Sequence, residues 1–491
     1  LKKSYQIPIE LIFITAVSLT VRWFNIGTNS YWLDEAYSLF IADYSPSAIW
    51  QNLWLDPTSP FYYLQLHFWI NLFGNSEVST RMLSAVFGVG ANLLVYGFAK
   101  PLGKIQALGG AMLIAISPLL VWYAQETRAY SMLLFYSVAA WWVLWLALQS
   151  RGRRYWAGWL VLAGLMCISH YTGVFVLAAQ VATIIIWLIR HKKPLVWGSG
   201  LAGLAVIGGL GWWAVSGYLV EMRRATDFRA NLDFFTILGT LPDEIFDKLT
   251  LAFIFVDNNF LKWICYGLFS GLFGLGVWWL WQKNRVFAGF LLAWFGFPVL
   301  GICLLSLWVE VLEIRYVISV AIPYYLLIAY GLGAIRRLFW RRLTVGLTFG
   351  IIFTFLVIQY KVPNKPDFRS LTAFLEERAN PQSDVIVYYT GYMDLGLYYY
   401  VKKPLPLQIG YPIGTFSQNL GMGGYYDPQG KKVARFMQAY QTQIEASKNI
   451  WLVQSQYVEI PPLEAYFNQN YRLLNRDQFN LLVVLHYKPD K

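Results

Sequence analysis

The chain has 491 residues, of which 57% are hydrophobic and only 13% charged, with a formal net charge of +12 and a mean hydropathy of +0.44. Soluble domains carry about 25% charged residues. That deficit, with repeated apolar runs, excludes an ordinary soluble protein and points to a polytopic α-helical membrane protein. The positive charge is then read as cytoplasmic Lys/Arg loops rather than as a nucleic-acid footprint. Cys167, Cys265 and Cys303 all lie in apolar segments without metal-ligand spacing, so neither a disulfide framework nor a zinc site is expected.

In chain order, eleven spanning helices are expected near 8–24, 80–99, 105–121, 130–149, 156–169, 173–190, 195–217, 260–281, 286–308, 316–335 and 343–360. The first run is long and has no small-residue cleavage site after it, so a cleaved signal peptide is not expected. The basic clusters constrain the topology. Lys2/Lys3, Lys100/Lys104, Arg151/Arg153/Arg154, Arg190/Lys192/Lys193, Lys283/Arg285 and Arg336/Arg337/Arg341/Arg342 all fall on one side of the membrane with these spans, the cytoplasmic side. Counting "PFYYLQLHFWINLFG" (60–74) as a span would place every later cluster outside. That segment is short and aromatic, and is expected to lie along the interface.

Residues 1–360 are thus read as a transmembrane domain with a long first outer loop, 25–79. Residues 361–491 are read as a soluble α/β domain outside the membrane. In this tail "PDFRSLTAFLEERANP" reads as a capped helix. "SDVIVYYT", "NIWLVQSQ" and "NLLVVLHY" read as β-strands. "GYPIGTFSQNLGMGGYYDPQG" (410–430) reads as a loop without a phosphate-loop signature.

Among residues 1–360, every acid but Glu10 falls on the outer side of this map. Asp34 and Glu35 stand in "NSYWLDEAYSLF", which resembles a helix lying in the interface. Solvated loop acids are the plain alternative. A carboxylate partly withdrawn from water is a stronger proton acceptor and suits a general base. "YAQETRAY" (123–130) places Glu126 and Arg128 at the mouth of a helix hairpin. Arg128 is either an interfacial ion-pair member or a guanidinium fork for a phosphate. His170 in "SHYTG" sits between two short spans. Glu310, Glu313 and Arg315 open a late span, where ionisable residues are functional candidates. Carboxylates, two arginines and many aromatics suit sugar transfer from a phosphate-activated lipid: a base for the acceptor hydroxyl, and arginines for the departing phosphate. A transporter or flippase of a lipid-linked substrate is the alternative. However, such proteins place their ionisable residues near the midplane, often with inverted repeats, and no repeat is evident here. A structural protein that docks partners through its tail is a third reading.

The ordered set of acidic pair, "DPTSPFYYLQLHFWINLFG", "SPLLVWYAQETRAYSMLLF", "SHYTGVF" and a late "RY" resembles the GT-C membrane glycosyltransferases, in the branch of protein O-mannosyltransferases and aminoarabinose transferases. The resemblance covers roughly 8–360 and implies a GT-C fold on a bacterial inner membrane with an extracytoplasmic site. It implies Asp34 as the catalytic Asp with Glu35 as its partner, and substrate contacts by Asp56, Glu126, Arg128, His170, Tyr171, Glu313, Arg315 and Tyr316. The implied donor is a polyprenyl-phosphate sugar, the acceptor a lipid, glycan or protein, and the outcome inversion. No cofactor is certain. A divalent metal is a possibility the family raises, with Asp34, Glu35 and Asp56 as oxygen ligands. Thr58 and Ser59 stand where relatives often carry a His before their prolines, which removes one expected contact.

Overall fold

The computed structural model describes the chain except for residues 1–7, 53–59, 151, 191–207, 209–210, 212–231, 252–258, 309–310, 363–364, 390–392, 412–430, 456–461 and 490–491. Two compact units emerge. The first is the helical body up to Lys361. The second joins Gly27–Asp43 to Val362–Lys491, so that a stretch of the first loop packs with the tail rather than with its chain neighbours.

Among the described residues of the helical unit, seven helices are long and apolar enough to cross a membrane: Glu77–Leu102, Tyr130–Gln149, Gly173–Arg190, Phe260–Lys283, Arg285–Ser306, Ile314–Ala334 and Leu338–Lys361. An eighth span is broken, with Lys104–Ile116 and Pro118–Ala124 meeting at 58°. These account for eight of the eleven expected spans. Ile9–Trp23 and Arg153–Ser169 are helices of 15 and 17 residues, shorter than the roughly 20 that span a bilayer upright. The expected span 195–217 falls almost wholly outside the described residues. The segment 60–74 forms the helix Pro60–Phe73, 14 residues long.

The break in the eighth span has a clear cause. Pro118 cannot donate a backbone hydrogen bond, and Ser117 restarts the helix by accepting from Leu120 N–H at 3.4 Å. The carbonyls left without helical donors are met by Arg22, buried at 2% exposure. Its guanidinium donates to Ala115 O at 3.0 Å and to Ile114 O at 3.5 Å. A buried charge in an apolar body is costly unless it is hydrogen-bonded, and here the bent helix supplies the acceptors.

A close helix crossing pairs Asn259–Lys283 with Ala321–Ala334. A Cβ added to Gly276 would lie 1.8 Å from Leu327 O, and one on Gly331 would lie 2.0 Å from Leu272 O. The two backbones therefore touch, as small residues permit in membrane bundles.

The second unit is an α/β/α sandwich. Its five-stranded sheet has the order β2-β1-β3-β5-β4, with β1 Val385–Tyr388, β2 Leu407–Gly410, β3 Ile450–Ser455, β4 Tyr471–Phe479 and β5 Leu482–Pro489. β1 pairs parallel with β2 and β3, while β5 runs antiparallel to β3 and β4. Successive residues of a strand face opposite sides. Val385, Val387, Ile450 and Leu452 join one core with the helices Lys431–Ala446 and Pro462–Asn470. Ile386, Tyr388, Trp451 and Val453 join another with Phe368–Arg378 and Met393–Tyr398. The three strands expected from the sequence are the three central ones, and the helix expected around 366–381 is Phe368–Arg378, capped by Asp367 accepting from Ser370 N–H. Most of the loop expected over 410–430 lies outside the described residues.

Candidate functional site

In the helical unit the expected site residues converge on two tight turns and the start of a late span. The first turn joins the broken span to Tyr130–Ser150. Gln125 ends the short helix, and its side-chain amide donates to Arg22 O at 3.0 Å and Phe24 O at 2.7 Å. Thr127 Oγ donates to Thr80 Oγ at 3.0 Å, and Ser84 Oγ donates to Arg128 O at 3.0 Å. Glu126 and Thr127 are buried at 1% and 0% exposure. These bonds fix the backbone of Arg128, whose guanidinium stands 5.9 Å from the Tyr130 ring centroid.

The second turn, "SHYTG", follows the helix Arg153–Ser169. It needs its glycine, because a Cβ on Gly173 would lie 2.8 Å from Met166 O. His170 lies in extended backbone at the helix end. Its Nδ1 accepts from Thr172 N–H at 3.3 Å and sits 2.8 Å from Thr172 Oγ. A backbone N–H can only donate, so Nδ1 is the bare nitrogen and Nε2 carries the proton. Burial, followed by the nearby charges of Arg128 and Arg315, lowers the His170 pKa to about 3. The ring is therefore neutral at physiological pH and presents an Nε2–H donor.

The third element is the turn Ile314–Val320 that leads into Ala321–Ala334. Glu313 grips Arg315 at two points, with Oε2 2.6 Å from Nε and Oε1 accepting from Nη2 at 3.1 Å. The Arg315 guanidinium stands 5.2 Å from the Tyr316 ring centroid. A chain of aromatic contacts ties the three elements together: Tyr123 to Tyr130 at 4.8 Å, Tyr130 to His170 at 5.4 Å, and His170 to Tyr316 at 6.4 Å. Tyr171, at 7% exposure, packs into the core behind them.

The structure thus gathers Glu126, Arg128, His170, Tyr171, Glu313, Arg315 and Tyr316 in one unit. The sequence reading did not single out Tyr123, Tyr130 or Thr172. The two tyrosines were visible as the ends of "YAQETRAY", at the spacing that lets both flank the turn.

Asp34 and Glu35 belong to the other unit, in the first turn of the helix Leu33–Ala42. This helix forms in the segment expected to be helical, and it is fastened to the tail. Ser30 Oγ donates to Pro366 O at 2.7 Å and accepts from Phe368 N–H at 3.1 Å. Tyr31 N–H donates to the Tyr400 hydroxyl at 2.6 Å. The two acids differ sharply. Asp34 is half-buried, whereas Glu35 is 0% exposed and its Oε2 lies 3.2 Å from Nζ of Lys365, itself 6% exposed. Glu35 thus has a structural partner that the sequence did not reveal.

Asp56, with Thr58 and Ser59, lies outside the described residues, as does Glu310. Among the described residues no three His, Cys, Asp or Glu side chains come together as a metal site. Of the three acids named as possible metal ligands, Glu35 is committed to Lys365. The described residues therefore do not make up a divalent-metal site by themselves.

Residues 57–213 match the family model described as dolichyl-phosphate-mannose-protein mannosyltransferase. A comparison with curated proteins returns no sequence match. Among solved structures, ArnT from Cupriavidus metallidurans bound to undecaprenyl phosphate aligns with a TM-score of 0.56 at 13% identity, over 97% of each chain. The Archaeoglobus fulgidus oligosaccharyltransferase aligns at 0.55 and 14%, over 92% of this chain and 70% of that one. Arabinofuranosyltransferase AftD from mycobacteria aligns at 0.50 and 14%, over 99% of this chain and 40% of that one. At such identities the likeness is one of fold. The chain is an integral membrane protein with the GT-C glycosyltransferase fold, and over residues 57–213 its sequence resembles the mannosyltransferase family.

Proposed function

We propose that the chain is an inverting glycosyltransferase that moves a sugar from a polyprenyl-phosphate donor to an acceptor hydroxyl on the extracytoplasmic side of the membrane. The observation that supports this most is the pairing of Arg128 and Arg315 around a neutral His170 within an aromatic enclosure. Two guanidiniums and an Nε2–H are donors suited to phosphate oxygens, and aromatic faces suit sugar rings and isoprenoid. The undecaprenyl phosphate bound to ArnT, a protein of the same fold, is consistent with such a ligand.

In the proposed step, the acceptor oxygen attacks the anomeric carbon as its proton passes to the carboxylate of Asp34, a base assigned by the resemblance alone. The bond from that carbon to the phosphate oxygen breaks, and its electron pair leaves with the polyprenyl phosphate. Because attack and departure occur on opposite faces, the anomeric centre inverts. Arg128 and Arg315 stabilise the negative charge growing on the leaving phosphate. Glu313 holds the Arg315 fork in orientation. Glu126 and Tyr171 are assigned to the wall of the donor pocket, and Tyr316 to the face that carries Arg315. Asp56 is assigned to substrate binding by the resemblance alone.

The test is binding of undecaprenyl phosphate to the detergent-solubilised chain. Hydrogen bonds to charged groups contribute about 1.5–3 kcal/mol each, so Arg128→Gln and Arg315→Gln should each weaken binding by about 10- to 150-fold. Unchanged affinity in both variants would remove the phosphate site.

A further inference from the structure

A second feature of the helical unit lies away from these turns. An open apolar groove of about 730 Å³ is lined by Leu11, Ile12, Ala16 and Leu19 of the first helix, by Leu93, Leu94 and Gly97 of the helix Glu77–Ala99, and by Trp142. Its size lies within the range of about 300–1,000 Å³ typical of ligand-holding clefts. Thr15, also on the wall, withdraws its polar atom from the groove by turning Oγ back to donate to Leu11 O at 2.7 Å. Gly97 leaves the slot in which the Trp142 ring sits, since a Cβ there would lie 2.4 Å from Trp142 Cη2. One end of the groove carries a net positive charge: Lys104 pairs with Glu10, which also lies within electrostatic reach of Lys100. Lys100 is exposed there, with Nζ 5.6 Å from the Tyr96 ring centroid.

An apolar trough along apolar helices, ending at a lysine near the helix terminus, has the chemistry to hold a phospholipid: chain in the trough, phosphate at the ammonium. We propose that this groove is a binding site for an anionic phospholipid, with one acyl chain against Leu19, Leu93 and Trp142 and the headgroup phosphate at Lys100. Charge complementarity selects the headgroup. The topology expected from the basic clusters puts this end at the cytoplasmic leaflet, where anionic lipids concentrate. The site is independent of the sugar-transfer reading.

The test is native mass spectrometry of the full chain in detergent, titrated with dioleoyl phosphatidylglycerol or dioleoyl phosphatidylcholine. The wild-type chain should retain one phosphatidylglycerol about fivefold more strongly than phosphatidylcholine, the advantage expected of a single lysine at an anionic surface. Lys100→Gln should abolish that preference. Ala16→Trp, at an exposed position on the groove wall, should fill the trough and lose the adduct, while its melting temperature stays that of the wild type. Equal retention of both lipids by the wild type, or a preference that survives Lys100→Gln, would overturn the proposal. So would an adduct that survives Ala16→Trp.

Discussion

Glu35→Gln separates a structural carboxylate from a chemical one. Glu35 is fully buried, and the ammonium of Lys365, almost as deeply buried, lies 3.2 Å from it. Removing one charge of such a pair leaves the other stranded in a low-dielectric interior, at a cost of about 3–5 kcal/mol. For a unit of this size that corresponds to a fall of about 6–20 °C in melting temperature. Lys365→Met strands the carboxylate and should cost a similar amount. The double variant Glu35→Gln/Lys365→Met strands neither charge, and should recover most of the loss, because replacing both members of a buried pair is often near neutral. Fluorescence-detected thermal unfolding of the four proteins in one detergent measures this cycle. If each single variant melts within about 1 °C of the wild type, the pair is not held as described. If the double variant is as unstable as the sum of the singles, the coupling is absent. Either result would mean that the Glu35–Lys365 pair does not hold this helix to the tail as described.

Three further outcomes follow from particular contacts. Gly276→Ala forces a methyl group into the Leu327 carbonyl and should destabilise the helical unit by at least about 1–3 kcal/mol. Gly289→Ala, with open space around it, should change stability by less than about 1 kcal/mol, and equal melting temperatures for the two would refute the backbone contact. His170 has its folded pKa depressed to about 3, so as pH falls below about 6.5 the unfolded chain takes up a proton that the folded chain refuses. Its stabilising contribution is therefore full above that pH and is lost progressively down to about pH 3; His170→Gln should flatten this dependence in pH-scanned thermal unfolding, and an unchanged slope would contradict the neutral ring. Arg22→Met leaves Ile114 O and Ala115 O without their donor and should lower the melting temperature, whereas an unchanged value would mean that the bent helix does not depend on the clamp.

The sequence carried the bilayer body well, because spanning helices are fixed by length and apolarity alone. It also carried the three central strands, β1, β3 and β5, whose residues are mostly buried on both faces and are therefore mostly apolar, with Val or Ile in each. The edge strands escaped. β2 is four residues long and flanked by Pro406 and Tyr411, and β4, "YRLLNRDQF", exposes most of its side chains, so neither bears a buried pattern. At the site, Arg128, His170 and Arg315 were legible as ionisable residues in short turns between apolar runs. The partnership of Glu35 with Lys365 was not, since 330 residues separate them and no local pattern encodes such a pair. Nor was the role of Arg22, which reads as an ordinary basic residue at the end of a helix until the bend at Ser117 and Pro118 opens carbonyls beside it.

The central claim is that Asp34 is the base of a sugar transfer from a lipid-linked phosphate. The direct measurement is single-turnover transfer of radiolabelled sugar from polyprenyl-phosphate donors by the chain in liposomes, comparing wild type with Asp34→Asn. The account predicts that Asp34→Asn retains wild-type melting temperature and undecaprenyl phosphate affinity while losing transfer by about 100-fold or more. Wild-type turnover in Asp34→Asn would contradict it.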